Sequence, residues 1–240
     1  MYDNSYAEYE RIIDGLKATN RLCLFEQAAK RNSFIVLRHD VEFSIEKAVE
    51  MAAVEAEHGV KASYFVQVES NAYNTFSDEH RAALRMMSLY GHEIGLHYRQ
   101  RGGNAEEMIR KQINILSDWL GVPVKTFSTH RPKQDTPYDL YFVPGAINAY
   151  GKHFFTKTDD LDKVRVKYIS DSKFRWNYGS EPLEAISGYD KAQILIHPFQ
   201  WAEELVSMAE CFTEITQQKA AAMMKTYRNE FTRYREVENA

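Results

Sequence analysis

Ser33-Phe34-Ile35-Val36-Leu37-Arg38-His39-Asp40-Val41-Glu42 opens as an apolar, β-branched run and closes with four ionisable side chains in five residues. The apolar part predicts a buried strand. Ser44 then stands where a helix N-cap is expected. Ile45, Ala48, Val49, Ala52 and Ala56 share one face of the predicted helix, which Gly59 ends. A strand that breaks into charge just before a helix carries those charges at its C-terminal end, where parallel α/β folds assemble sites.

The same pattern recurs. Glu93-Ile94-Gly95-Leu96 runs into His97, Val124–Thr129 into His130-Arg131-Pro132, and Gln193–Ile196 into His197-Pro198. If these strands are parallel neighbours, the imidazoles gather at one rim with Asp40 and Glu42, an arrangement able to hold a metal and supply an acid and a base. Between them, Lys61–Val68 reads as a further strand, and helices are predicted from Ser77 to Tyr90 and from the capping box at Asn104–Glu107 to Gly121. The N-terminal region carries helical spacing broken at Thr19-Asn20. Residues 132–163 read as a long loop, Val164–Ser170 as a strand, and a long helix is predicted from about Thr213 to Glu236. Strands alternating with helices imply a mostly parallel sheet. One domain is expected over 1–240, with N-terminal helices in 1–32, the motif-bearing body in 33–201 and a helical segment in 202–240.

The 240 residues are 44% hydrophobic and 13% aromatic, enough for a full core, and the formal charge of −4 offers no basic field for nucleic acid. No apolar run reaches the roughly 20 residues of a membrane span. The polar, acidic start MYDNSYAEYERIID has no basic and apolar leader pattern, and Cys23 and Cys211, far apart, read as free thiols of a reducing compartment. The expectation is a cytoplasmic protein.

Taken together, the motifs resemble the NodB-like polysaccharide deacetylases, carbohydrate esterase family four, and within it the branch with an H-D-V-D opening motif found with surface-polysaccharide (O-antigen or capsule) biosynthesis. The resemblance runs from about Phe34 to Trp201. It is carried by Arg38–Glu42, Gly91-His92-Glu93-Ile94-Gly95-Leu96-His97, Ser128–Pro132, Ser170-Asp171-Ser172 with Trp176, and Leu195-Ile196-His197. It implies a single-domain, distorted (β/α) barrel of about seven parallel strands. It also implies a divalent metal, usually Zn2+, held by one carboxylate and two imidazoles, with a second carboxylate as base and a late histidine as acid. The sequence departs from the pattern in three places. Arg101 stands where the second motif has its second histidine, and His130 where the third has arginine. The opening motif aligns in two ways: His39 as base with Asp40 as ligand, or Asp40 as base with Glu42 as ligand.

Amide hydrolysis needs an activated water, a stabilised oxyanion and a proton for the leaving amine. A metal with an open position supplies the first two. The ligands expected are Asp40 or Glu42 with His97 and His130, the last compensating for Arg101. His197 is the expected acid, and Arg131 the arginine that orients the base. His92, at the opposite end of its strand from His97, is expected to be structural. Asn71, Tyr73, Arg99, Asp171, Trp176 and Trp201 are the expected substrate contacts. The implied reaction removes an acetyl or other small acyl group from a small-molecule carbohydrate, a nucleotide- or lipid-linked amino sugar. A catalytically silent sugar-binding barrel and a hydrolase of another C–N bond, such as a cyclic ureide, stand as alternatives.

Overall fold

A computed structural model describes residues 2–132, 138–157, 163–177 and 180–231. The chain divides into two compact units, one ending at Leu205 and one beginning at Val206. In the first unit the elements follow in the order α1 (Tyr6–Ala18), α2 (Phe25–Ala28), β1 (Phe34–Val41), α3 (Ile45–Glu57), β2 (Ser63–Val66), α4 (Asp78–Leu89), β3 (Glu93–Arg99), α5 (Ala105–Leu120), β4 (Thr126–His130), β5 (Ile147–Asn148), β6 (Lys167–Ser170), α6 (Pro182–Ala185) and β7 (Lys191–Ile196). The second unit holds α7 (Met208–Glu230), which Ser207 caps through a box with Glu210. The last residues of the helix expected to reach Glu236 lie outside the described residues.

The seven strands form one sheet in the order β5-β4-β3-β2-β1-β7-β6, and every pairing is parallel. β1 lies between β2 and β7 and is buried along its whole length. β5 is a strand inside the stretch read from sequence as loop. With two residues it is too short to show a period, and pairing with Thr126 and Phe127 defines it.

The sheet curls, so its two faces meet different surroundings. Phe34 and Val36 of β1 pack with Phe65, Phe25, Ala149 and Phe154 in a small inner cluster. Ile35, Leu37 and Val41 join the larger core under the helices, with Ile12, Leu16, Met51, Leu84 and Leu116. The Gln193 amide of β7 donates to the carbonyls of Ala149 and Phe154, just beyond β5. The β5 side therefore folds across the inner face toward β7, giving a (β/α) barrel. It is a distorted one: among the described residues no pairing joins β5 to β6. Side chains alternate along a strand, so the residues sharing the inner face with Phe34 and Val36 are Arg38, Asp40 and, just past the strand, Glu42. Gly95 keeps that face open beneath His97, because a Cβ there would lie 2.7 Å from the Phe65 ring and from Thr126 Oγ1.

Candidate metal centre

Three donor atoms converge at the C-terminal end of the sheet. His130 Nδ1 lies 2.9 Å from Glu42 Oε1 and 3.0 Å from His97 Nε2, and His97 Nε2 lies 3.6 Å from the same Glu42 oxygen. These are the end of β1, the inner face of β3 and the last residue of β4. Among the described residues they are the one group of three or more His, Cys, Asp or Glu donors able to share an ion. Their separations bracket the ~3.4 Å expected between donors of a tetrahedral ion bound at about 2.1 Å. The proton arrangement also suits a cation. Ser128 Oγ donates to Asp40 Oδ1 at 3.5 Å and hydrogen-bonds His97 Nδ1 at 2.7 Å. With its proton given to Asp40, Ser128 accepts from His97 Nδ1–H and leaves the Nε2 lone pair facing the cluster. The donor set fits a divalent metal.

Asp40 stands beside this group, with Oδ2 3.7 Å from His97 Nε2. Arg38 grips it in a fork, Nε to Oδ1 at 2.8 Å and Nη2 to Oδ2 at 2.7 Å, both residues being almost fully buried. Arg38 is itself held by Gln193 Oε1 at 3.0 Å and Tyr150 Oη at 3.2 Å, and it lies over the Tyr150 ring. Burial pushes the Asp40 carboxyl up, but the charge and the hydrogen bonds of Arg38 outweigh it and hold Asp40 below its ordinary value. Burial acts on Glu42 in the same sense, and the hydrogen bond from His130 with the charge of His197 overcomes it, so Glu42 titrates far below the usual carboxylate range. Both carboxylates are therefore ionised.

His197 follows β7, where Asp171 holds it. Asp171 Oδ1 accepts from Nδ1 at 2.6 Å, and Oδ2 accepts from the His197 backbone N–H at 2.9 Å and from Trp201 Nε1 at 3.0 Å. Burial would lower the imidazole. Asp171, with Glu42 and Asp40 behind it, reverses this and raises His197 to about 9. The ring is thus a cation at neutral pH, a proton donor with a fixed orientation.

Several sequence expectations are corrected. His39 faces the helix layer, where its Nε2 meets Glu55 Oε1 at 2.7 Å and its ring lies against Tyr64. It cannot act as base at the inner rim, and the geometry favours the alignment using Asp40 and Glu42. Arg131 does not orient Asp40: its backbone has turned into the left-handed region, φ +46°, and its side chain is exposed. Arg38 fills that place. Asp171 is spent on His197 and Trp201 and is fully buried, so it is not a substrate contact. Trp201 is equally buried and packs on Tyr9 and Tyr2, which leaves no face for a sugar ring. The Tyr73 hydroxyl is committed to backbone, donating to Val41 O and accepting from Gln67 N–H. Trp176 is partly buried against Trp201 and Tyr2, Asn71 is exposed on the loop after β2, and Arg99 sits at the end of β3. Arg101 pairs with Glu69 at 3.2 Å on the surface. His92 bonds the backbone of Ala62 and Ala52, a structural position.

Sequence reading missed Arg38, Ser128 and Gln67. Arg38 carried a signal, a charged residue two before Asp40 on the same strand face. Gln67, 4% exposed, brings its amide to 3.5 Å from His130 Nδ1.

No protein-family model matches this chain, and no curated protein sequence is similar to it. Solved structures are. A family 4 carbohydrate esterase from Bacillus anthracis is 14% identical, with 89% of this chain and 86% of that one covered and a TM-score of 0.42. The chitin deacetylase of Colletotrichum lindemuthianum is 16% identical over 77% of this chain and 81% of its own, with a TM-score of 0.42. The CE4 family pseudoenzyme BA3943 of Bacillus anthracis is 14% identical over 77% of this chain, with a TM-score of 0.40. This chain spans 60% of its length. At these values the likeness is one of fold.

Proposed function

We propose that the chain is a metal-dependent hydrolase that removes an N-acyl group, acetyl in the simplest case, from a nucleotide- or lipid-linked amino sugar of surface-polysaccharide synthesis. The observation that carries this reading is the meeting of Glu42, His97 and His130 beside an arginine-held Asp40. A divalent ion bound there, zinc being the usual one for such donors, would polarise the acyl carbonyl and acidify a water. Asp40, ionised and immobilised by Arg38, would accept the proton of the attacking water. His197, protonated and aimed by Asp171, gives a proton to the departing amine. No helix among the described residues is long and apolar enough to cross a membrane.

The test is acetate release from a panel of N-acetylated nucleotide sugars, with the metal content of the protein measured alongside. Turnover that disappears on chelation and returns with zinc is the expected result. Arg101, at the position of a motif histidine, favours one competing reading, a silent sugar-binding barrel. Metal-loaded protein that binds one of these sugars tightly and releases no acyl product from any of them would establish that reading instead.

A further inference from the structure

Gln67 is the first residue past β2. Val41 pairs with Val66, and Val66 with Leu96, in parallel register. One step further along each chain brings Glu42, Gln67 and His97 level with one another on three neighbouring strands. Phe65 lies in the inner cluster, and Gln67, two residues on, shares its face. An amide therefore stands between two of the three donors, and it closes on the third. Its nitrogen is 3.5 Å from His130 Nδ1, and the residue is only 4% exposed.

The loop after β2 is spent on holding this residue. The Gln67 N–H donates to Tyr73 Oη at 2.9 Å, and the Gln67 carbonyl accepts from the buried Thr75 Oγ1 at 2.5 Å. Tyr73 Oη in turn donates to Val41 O at 2.6 Å. One hydroxyl thus ties the peptide leading into Glu42 to the N–H of Gln67. A residue fixed at both of its backbone groups presents its side chain from a rigid base.

Charge decides which end of the amide faces the donors. Glu42 Oε1 lies 2.9 Å from His130 Nδ1. Two lone pairs repel at that distance, so either a proton sits on Nδ1 or a cation lies between the two groups. In both states an N–H of Gln67 aimed at Nδ1 finds no acceptor there, and a carbonyl oxygen is favoured. A half-turn of the amide exchanges its two ends in nearly the same volume. The 3.5 Å separation then matches the ~3.4 Å between neighbouring donors of one tetrahedral ion.

We infer that Gln67 Oε1 is a fourth protein ligand of the ion at Glu42, His97 and His130. This rests on the reading above that those three residues hold a divalent metal. The set becomes two imidazoles and two oxygens, one charged and one neutral. A fifth position is left for the reactant, an expansion that catalytic zinc sites also make.

The test uses the full chain, stripped of metal and titrated with Zn2+ and Co2+ against a chromophoric chelator, with a crystal structure of the Co2+-loaded wild type. Gln67→Leu should fold as the wild type by circular dichroism and bind both ions about 10–100-fold more weakly. Gln67→Glu, which keeps an oxygen at the same reach, should bind them at least as tightly as the wild type. Arg110→Gln, on the exposed surface of α5, should change nothing. The crystal structure should show Gln67 Oε1 bonded to the ion. Equal affinity in wild type and Gln67→Leu would overturn the inference. So would weakened binding in both Gln67 variants, since the amide nitrogen would then be the working end, or an ion held in the crystal by Glu42, His97 and His130 alone. The readings are told apart by what is lost. Metal held equally well without the Gln67 oxygen removes the fourth ligand and keeps the metal centre, and wild-type protein that takes up neither ion removes both. Gln67-dependent metal binding without acyl release from any sugar keeps the ligand and removes the hydrolase.

Discussion

The Arg38–Asp40 fork makes the sharpest prediction, because both partners are dry and on one strand. Arg38 is fully buried and Asp40 nearly so, with two bonds of 2.8 and 2.7 Å between them. Replacing one partner leaves the other as an uncompensated buried charge, which costs about 3–5 kcal/mol. Arg38→Met strands Asp40 and also frees Gln193 Oε1 and Tyr150 Oη, so it belongs at the upper end of that range. Asp40→Asn strands Arg38. In the double variant neither charge remains, so its loss should fall short of the sum of the singles by about 2 kcal/mol or more. The assay is urea unfolding of the metal-stripped protein, with all four members of the cycle extrapolated to water. A parallel cycle with Arg131→Ala should be additive within about 0.5 kcal/mol, since Arg131 is exposed. Function should follow: Arg38→Lys keeps the charge but not the fork, and a small displacement of a reacting group costs as much as 10²-fold in kcat. Additivity between Arg38 and Asp40, or strong coupling between Arg131 and Asp40, would show that the carboxylate is held some other way.

Three further outcomes are expected. His97→Ala should lose the metal by elemental analysis while His92→Ala keeps it and loses only stability, because His97 Nε2 faces Glu42 and His130 whereas His92 bonds backbone; equal metal loss in both folded variants would reverse the assignment. His197, raised to about 9, supplies its proton below that pH, so kcat should fall as pH rises through about 9, and Asp171→Asn should move that alkaline limb toward neutrality; an unmoved limb would remove His197 as the acid. Burial raises Glu93, at the start of β3, to about 7, so the folded state keeps a proton that the unfolded chain gives up near 4.5. Stability should therefore decline by up to ~3 kcal/mol between pH 4.5 and 7 and level off above. Glu93→Gln should flatten that slope and be the more stable protein at pH 8; a variant less stable at every pH would refute it.

The strands that end in site residues were legible because each joins a short apolar run to an abrupt polar end. β1, β3, β4 and β7 all have that form, and they carry Asp40, His97, His130 and the chain to His197. The helix boundaries were legible through Ser44, Ser77, Asn104 and Gly121, each of which caps its helix, though Asn104 does so by its own side chain while Glu107, read as its partner in a capping box, pairs with Lys111. What failed to show is what depends on the partner across space. Asp171 and Trp201 look like rim residues in sequence, and the bonds of Asp171 to His197 and to Trp201 arise only when β6 and β7 pair. Arg131 sits in the right motif, but the left-handed turn after His130 sends it outward. Tyr73 is spent on backbone groups of Val41 and Gln67, which no spacing rule reveals.

The choice between the two alignments of the opening motif is different, since strand alternation alone bears on it. Adjacent residues of a strand point to opposite faces, so His39 and Asp40 cannot both serve one rim, whereas Asp40 and Glu42 can. The helix-side face then needs its own partner for His39, and α3 provides it in Glu55, a fully buried carboxylate that also accepts from the Tyr9 and Tyr64 hydroxyls. The two faces of β1 thus carry opposite requirements. The inner one pairs Asp40 with a cation from its own strand, and the outer one pairs Glu55 with an imidazole. A one-residue slip that brought Asp40 round to the helix layer would set it against Glu55 in a dry interior, and at the same time take Arg38 off Gln193 and Tyr150. Like charges in low dielectric repel by several kcal/mol. The polar residues of β1 therefore fix its register alongside the apolar ones, and the buried His39–Glu55 pair serves the candidate metal centre by keeping Asp40 and Glu42 on the inner face.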